Sequence, residues 1–524
     1  MTDYVIAGSG INALVAASLL AMKGRKVLVL ERNDVIGGCI RTEEATAPGF
    51  THDVMATTFV LFLLSPAYAA LGPELEKRGL RFAHPEIPTG VLRPDGSSLV
   101  LTKDRAANVA AFDQLAGGDG DQFARDMAQL GGNAPFLFAL LGGRLWSWDM
   151  LKTVAREAWR RGPRALSSFF GEALISARHW LEPHYQSDLF HALMAPWVLH
   201  TGLGPESAYS GQMAKVIAFA LEAAGAPIVQ GGAANILKAF EQLIRDHGGG
   251  IRTCADVAEV TVDATGRATG VVLASGEVIA ANHGVICSMT PAQLYGRLLK
   301  NMKAVEPQRS EARGFVHGKG NMQIHYALDA PPRWKNPDLA KVALLHLTPG
   351  LDGVSKAVNE AERGQLPVEP TICVGQPTAF DPSRAPQGKA ILWLQLPEAP
   401  RVIKGDAASQ IDPPADGKWT EAVREAYASR IETILSRHIE GFRDTIIKRR
   451  CYSPADLEAM NVNLVGGDPY GGACTIDQFF LWRPMRGLAN HATPIKNLYH
   501  IGASTHPGPG LGGGSGFLLA SALR

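Results

Sequence analysis

Gly8, Gly10 and Ala13 are spaced as G-x-G-x-x-A, and Glu31 follows about 20 residues later, the separation of a dinucleotide-binding fingerprint. Gly8 permits a tight turn, and Gly10 has no side chain to keep a pyrophosphate from the backbone. Ala13 is small enough for a helix to lie close to a strand. The Glu31 carboxylate can accept hydrogen bonds from ribose hydroxyls, and its charge makes NADP the poorest candidate ligand. Three elements must hold these residues. Tyr4 to Ala7 form a short apolar run suited to a buried parallel strand. A helix from about Ile11 to Lys23, ended by Gly24, aims its free N–H groups at the phosphate. Val27 to Leu30 make the second strand, with Glu31 at its end.

A second glycine turn, Gly37-Gly38, turns the chain back beside the ligand, and Arg41 can neutralise a phosphate there. A third glycine turn lies near the other end of the chain. Leu498 to Ile501 read as a buried strand, followed by small Gly502 and Ala503 and the tight loop His506-Pro507-Gly508-Pro509-Gly510. Gly512-Gly513-Gly514 then lead into a helix from about Gly516. A helix N-terminus placed this way stabilises negative charge. A disordered glycine tail would carry neither the apolar strand before it nor Phe517-Leu518-Leu519 after it.

The 524 residues, 46% hydrophobic, suffice for two or three domains with a large core. A formal charge of +1 argues for no nucleic-acid partner. Six scattered cysteines without a CxxC fit neither a disulfide framework nor a zinc site and suit a reducing compartment. The first strand starts at Tyr4, which leaves no room for a targeting peptide, so the expected location is cytoplasmic. The most apolar stretch, Phe59 to Leu71, is broken by Pro66, which disfavours a transmembrane helix.

Between the nucleotide elements the pattern changes. Gly90 to Leu101 read as a hairpin turning at Pro94-Asp95-Gly96, and Ala106 to Gly225 as an inserted helical region. That region carries Trp146, Trp148, Trp159, Trp180 and Trp197, interleaved with Arg144, Lys152, Arg156, Arg160, Arg161 and Arg164. The first reading is a solvated basic face whose tryptophans pack inward. The alternative is an amphipathic surface on an anionic membrane, with peripheral contact suited to a lipid substrate. Residues 226–290 return to the nucleotide pattern, with a helix from Ala234 to Asp246 and a strand meander beginning at Val257. Residues 300–450 mix strands, such as Met322 to Leu328 and Ala390 to Leu396, with a helix from about Thr420 to His438.

Gly8 to Ala13, Glu31, Gly37-Gly38, Thr42-Glu43-Glu44, Pro48-Gly49-Phe50 and the segment around Thr505-His506-Pro507-Gly508 resemble the phytoene-desaturase-like flavoproteins. That group holds carotenoid desaturases and isomerases, retinol saturase and a mitochondrial branch, whose motif Asp477 to Pro484 resembles better than that of the carotenoid enzymes. Amine oxidases and Rab GDP-dissociation inhibitors are more distant. Amine oxidases usually place an arginine directly after the glycine pair, where this chain has Cys39. The resemblance implies an α/β (α+β) fold: a Rossmann-like FAD-binding domain of the glutathione-reductase/amine-oxidase type with an inserted substrate domain of antiparallel sheet and helices. The boundaries expected are 1–85, 226–300 and 465–524 for FAD, and 86–225 with 301–464 for substrate. It assigns to FAD Gly8, Gly10, Asn12, Ala13, Glu31, Arg32, Gly37, Gly38, Arg41, Val257, Gly502, Ala503, Gly510, Leu511 and Gly512.

The function expected is an FAD-dependent desaturase or dehydrogenase. A hydride would pass from an apolar, isoprenoid or lipid, substrate to flavin N5 with formation of C=C, and the electrons would go on to oxygen or a quinone. Alternatives are an isomerase, saturase or amine oxidase on the same scaffold, and a non-catalytic prenyl-binding escort like the Rab inhibitors. His506 is the first candidate for acid–base catalysis, with shaping the flavin loop as its other role. Asp53 is the second candidate, with loop capping as its other role, and His52 is a weaker neighbour.

Overall fold

A computed structural model describes residues 2–523. The expected strands Tyr4–Ala7, Val27–Leu30 and Leu498–Ile501 all lie in one five-stranded parallel sheet. Its order is Leu498–Ile501, Gly284–Ser288, Tyr4–Ala7, Val27–Leu30, Gly250–Arg252. Val5 stands opposite Val285 on one side and Leu28 on the other, and Val285 stands opposite Leu498. The first strand is buried along its whole length, which its unbroken apolar run requires.

Helices cover the sheet. Ile11–Met22 and Gly514–Ala522 pack together, and Ala234–Asp246 and Pro66–Lys77 join the same core. In Ala234–Asp246 the buried residues are Ile236, Leu237, Phe240, Leu243 and Ile244, the stripe that a 3.6-residue period turns toward a sheet. The meander expected from Val257 is a three-stranded antiparallel sheet, Val257–Val262, Ala268–Leu273 and Val278–Ala280.

The second body is built on a seven-stranded sheet. Its order is Ile446–Tyr452, Gly320–Leu328, Ala390–Ala399, Ile372–Gly375, Val342–Leu347, Ile87–Leu92, Ser98–Leu101. The expected antiparallel sheet differs at one place, where Val342–Leu347 pairs in parallel with Ile87–Leu92. A parallel pair needs a long crossover, and here it spans the helical insertion and the returning nucleotide elements. Sequence segments on both sides of residues 226–300 therefore share this sheet.

The insertion folds as Arg105–Leu115, Asp119–Gly142, Trp148–Arg161, Pro163–Ala173, Ala177–His184, Asp188–Met194 and Ser210–Ala224, with a 3-10 helix at Ala195–Thr201. Phe112, Phe123, Trp180, Tyr185, Phe190 and Trp197 form its core. Tyr470, Cys474 and Phe479 join that core, so part of the stretch expected in the nucleotide unit packs on the helices instead. The tryptophans divide. Trp180 and Trp197 are 1% and 5% exposed, whereas Trp146, Trp148 and Trp159 are 57%, 77% and 92% exposed, so only two of the five pack inward. All six cysteines are free. Among the described residues no helix is long and apolar enough to cross a membrane.

Candidate functional site

The three glycine turns converge at the carboxyl ends of the parallel strands, where open α/β sheets bind ligands. Gly8 has φ +94°, and a Cβ there would lie 2.8 Å from the Ser288 carbonyl oxygen. Gly502, on the loop after the last parallel strand, flanks the same residue, since its Cβ would lie 3.5 Å from Ser288 Oγ. Ser515 Oγ donates to Asn12 Oδ1 at 2.9 Å, and Gly502 N donates to Ser515 Oγ at 2.9 Å. Two chain segments about as far apart in sequence as this chain allows thus form one surface.

Ser9 ties the first two glycine turns together. Its N–H donates to Glu31 Oε2 at 3.1 Å and its hydroxyl to the same oxygen at 2.5 Å. Gly37 N donates to Ser9 Oγ at 3.0 Å, and Asn33 N to Glu31 Oε1 at 3.0 Å. Gly10 and Gly37 form a parallel bridge, and a Cβ on Gly38 would stand 3.3 Å from Gly10 Cα. Ala255 N donates to the Glu31 carbonyl at 2.8 Å, which brings Val257 in beside the end of the second strand.

These residues fit a dinucleotide. A Cβ on Gly10 would meet nothing within 4 Å, so the approach to the helix N-terminus is open. No side chain caps that terminus and no acidic residue sits in its first turn, which leaves its donors and positive end for an anion. The helix Gly514–Ala522 also starts without a side-chain cap. Before it, a Cβ on Gly510 would lie 2.7 Å from Leu61 Cδ1 and one on Gly512 would lie 3.4 Å from the Leu61 carbonyl oxygen, so the loop carrying Leu511 rests against that residue. Ala13 is fully buried under the sheet, as close packing demands. Arg32 is exposed, and the Arg41 guanidinium is already engaged by Glu43.

The two acid–base candidates do not come together. His506 Nε2 stands 2.8 Å from the Gly143 carbonyl oxygen, an acceptor, so the ring carries its proton there. Its Nδ1 is buried without a partner. Burial holds this imidazole neutral, with its pKa down to about 4. Asp53 is a buried tether. Its Oδ1 accepts from Thr42 Oγ1 at 2.7 Å and Ala233 N at 2.8 Å, and its Oδ2 accepts from Arg384 Nη1 at 2.6 Å. Both oxygens are taken up joining the two bodies, which is a structural geometry rather than that of a carboxylate offered to a substrate. His52 is buried against Thr46, with its pKa down to about 2 through desolvation first and then the neighbouring His325.

Sequence reasoning passed over five features. Ser9 and Ser515 were legible in principle, as hydroxyls set among the glycines of a turn and of a helix start. Arg483 is buried and donates to the Ala503 carbonyl at 3.0 Å and the Tyr470 carbonyl at 2.6 Å. Its guanidinium also lies over the Phe479 ring, 5.2 Å from the centroid, behind the 502–508 loop. Glu398 is fully buried within the strand Ala390–Ala399, and desolvation pushes its carboxyl up to about 8. A crevice lined by Leu145, Trp146, Phe480, Leu481, Pro484 and His506 runs between the helical insertion and the third glycine loop.

A model of the flavin-containing amine oxidoreductases matches residues 14–431. The mouse pyridine nucleotide-disulfide oxidoreductase domain-containing protein 2 is 27% identical, over 98% of this chain and 92% of its own. A neurosporene-forming phytoene desaturase of Rhodobacter capsulatus is 24% identical, over 100% of this chain and 94% of its own. Among solved structures, an oxidoreductase from Methanosarcina mazei superposes with a TM-score of 0.63 at 16% identity, covering 100% of both chains.

Proposed function

The chain belongs to the flavin-containing amine oxidoreductase family and is an FAD-dependent oxidoreductase, and from that premise we propose that it dehydrogenates an apolar, isoprenoid or lipid, substrate to form a C=C bond. The observation that carries this reading is the FAD cradle, with Gly10 open before the uncapped N-terminus of the helix Ile11–Met22; the small crevice beside His506 mixes the apolar Leu145, Trp146, Phe480, Leu481 and Pro484 with Arg144, Arg483, Asn490 and His491. The phytoene desaturase among its relatives supports the same substrate class.

FAD supplies a two-electron acceptor for the hydride leaving the substrate, and oxygen or a quinone then takes the electrons. The chain's own residues do the rest. Gly8, Gly10 and Gly38, with the N-terminus of the helix Ile11–Met22, would hold the pyrophosphate, and Glu31, oriented by Ser9 and Asn33, would hold a ribose. The loop 502–512 would hold the redox end, and there the guanidinium of Arg483, fixed by the Ala503 and Tyr470 carbonyls, would favour negative charge on the bound cofactor. His506 keeps its proton at Nε2, facing Gly143, and so orients the loop instead of shuttling protons near neutral pH.

The exposed Trp146, Trp148, Trp159 and Leu151 support uptake from a bilayer, because they share the insertion's surface with Arg144, Lys152, Arg156 and Arg164. Trp146 also lines the crevice, which joins this surface to His506.

The test is anaerobic mixing of holoprotein with isoprenoid hydrocarbons presented in vesicles. Loss of oxidised-flavin absorbance with a product two hydrogens lighter is expected. Turnover to a product of unchanged mass without bleaching would mean an isomerase, and bleaching by amines alone would mean an amine oxidase.

A further inference from the structure

The seven-stranded sheet brings together three side chains that the flavin chemistry does not use. His346 on Val342–Leu347 stands directly opposite Cys373 on Ile372–Gly375 in the antiparallel register. His200, from the 3-10 helix Ala195–Thr201, closes over them, with its Nε2 2.9 Å from His346 Nε2. Ligand atoms of all three residues lie within 4.8 Å of one another, and among the described residues this is the one such group of His, Cys, Asp or Glu. His346 and Cys373 are fully buried. His346 Nδ1 has no hydrogen-bond partner, and among the described residues none reaches the Cys373 thiol. The Trp197 ring walls the group, with its centroid 4.7 Å from that of His200 and 4.9 Å from that of His346.

We propose that His200, His346 and Cys373 form a three-coordinate binding site for a soft monovalent cation of the copper(I) class. Two imidazoles and one thiolate are the donor set that suits copper and zinc. The charge balance decides between them. One thiolate cancels Cu(I) and leaves a neutral site, whereas Zn(II) would leave a net positive charge in a buried, carboxylate-free pocket, which low-dielectric surroundings penalise. Binding replaces the thiol proton with the metal and releases that proton to solvent, with no change of oxidation state.

The test titrates holoprotein anaerobically with Cu(I), supplied as its acetonitrile complex, against a chromophoric Cu(I) chelator. Wild type is expected to withhold one equivalent. Cys373→Ala and His346→Leu, each retaining the bound-flavin spectrum, are expected to weaken retention at least a hundredfold. The exposed Cys254 and the half-buried Cys39 are controls, and Cys254→Ser with Cys39→Ser must leave retention unchanged. If the site variants lose their flavin and so fail to fold, X-ray absorption on copper-loaded wild type reads the ligands directly. One sulfur with two imidazoles supports the site, and a sulfur-only shell overturns it. Retention below a tenth of an equivalent, equal retention by the site variants, or Zn(II) binding in place of Cu(I) each overturns it, and the first leaves a hydrogen-bonded imidazole pair.

Discussion

Asn12 and Ser515 are 503 residues apart and share a hydrogen bond of 2.9 Å from Ser515 Oγ to Asn12 Oδ1. It fastens the helix after the first glycine turn to the helix after the third, and a Cβ on the adjacent Gly516 would lie 1.9 Å from the Asn12 carbonyl oxygen.

Gly516→Ala is therefore expected to force those helices apart. A loss of about 1–3 kcal/mol is expected from overpacking, with bound flavin falling in step. Ser515→Ala, which removes the bond but adds no bulk, is expected to cost about 1 kcal/mol. Thermal unfolding followed by flavin absorbance checks both. Equal stability of Gly516→Ala and wild type would count against this contact as the joint.

Asp53→Ala leaves the buried guanidinium of Arg384 with only Asp381 as its ionic partner. The expected loss is about 1–3 kcal/mol, because Asp381 still compensates the charge while the hydrogen bonds made by Asp53 are lost. Arg384→Met in the same chain is expected to restore part of it. The pH profile of flavin reduction is expected to stay unchanged in the folded fraction. A profile altered without loss of stability would return Asp53 to the acid–base chemistry.

Stability is expected to peak near pH 6 to 7, from two opposing groups. His325, His491, His500 and His506 all have folded pKa values of about 4 through burial, below the usual histidine value. The unfolded chain therefore binds more protons from about pH 6.5 downward, and stability is lost as pH falls through that window. Glu398 acts the other way. Its folded pKa of about 8 lies above the unfolded carboxyl value, so its contribution erodes as pH rises from about 4.5 through 8. Glu398→Gln is expected to gain a few kcal/mol at pH 8.5 and nothing at pH 4. Denaturant midpoints at those two pH values measure this, and an equal shift at both would refute it.

His506→Asn is expected to retain FAD while slowing flavin reduction about tenfold, the loss of one positioning contact at 1.4 kcal/mol per decade. Because the wild-type imidazole is already neutral above pH 5, neither protein is expected to show an inflection near pH 6.5. Stopped-flow reduction across pH 5 to 8 checks it. An inflection present only in wild type would make His506 a proton carrier after all.

Replacing Trp146, Trp148 and Trp159 together by Ala is expected to reduce binding to anionic vesicles at least tenfold without lowering the thermal midpoint, because none of the three is buried. Binding by wild type is expected to weaken with salt, as basic side chains on an anionic surface require. Sedimentation with vesicles of graded anionic content decides it, and salt-independent or unaltered binding would refute the docking surface.

The nucleotide half was legible where local pattern and tertiary role coincide. Tyr4–Ala7 and Leu498–Ile501 are apolar because both faces of a parallel strand are covered, and Gly8 and Gly37 mark turns where a side chain would clash. The remainder depends on partners distant in sequence. Nothing near Asp53 announces Arg384, which lies 331 positions away. His346 and Cys373 each look like an isolated polar residue in an apolar strand until register sets them opposite. The tryptophans are alike as letters, yet Trp180 donates to the buried Asp126 at 2.6 Å while Trp159 reaches only solvent.

The place of Leu498–Ile501 at one edge of the parallel sheet has a temporal corollary. On the ribosome, the strand Tyr4–Ala7 must wait while about five hundred further residues are added before the third glycine loop exists. At about 5–20 residues per second that delay is tens of seconds. Through it the half-built nucleotide fold offers Ser288 and its neighbours as an unfinished border. A nascent chain halted before Ile501 would thus be a colourless client for chaperones, however well the intervening sheet and helices had already formed.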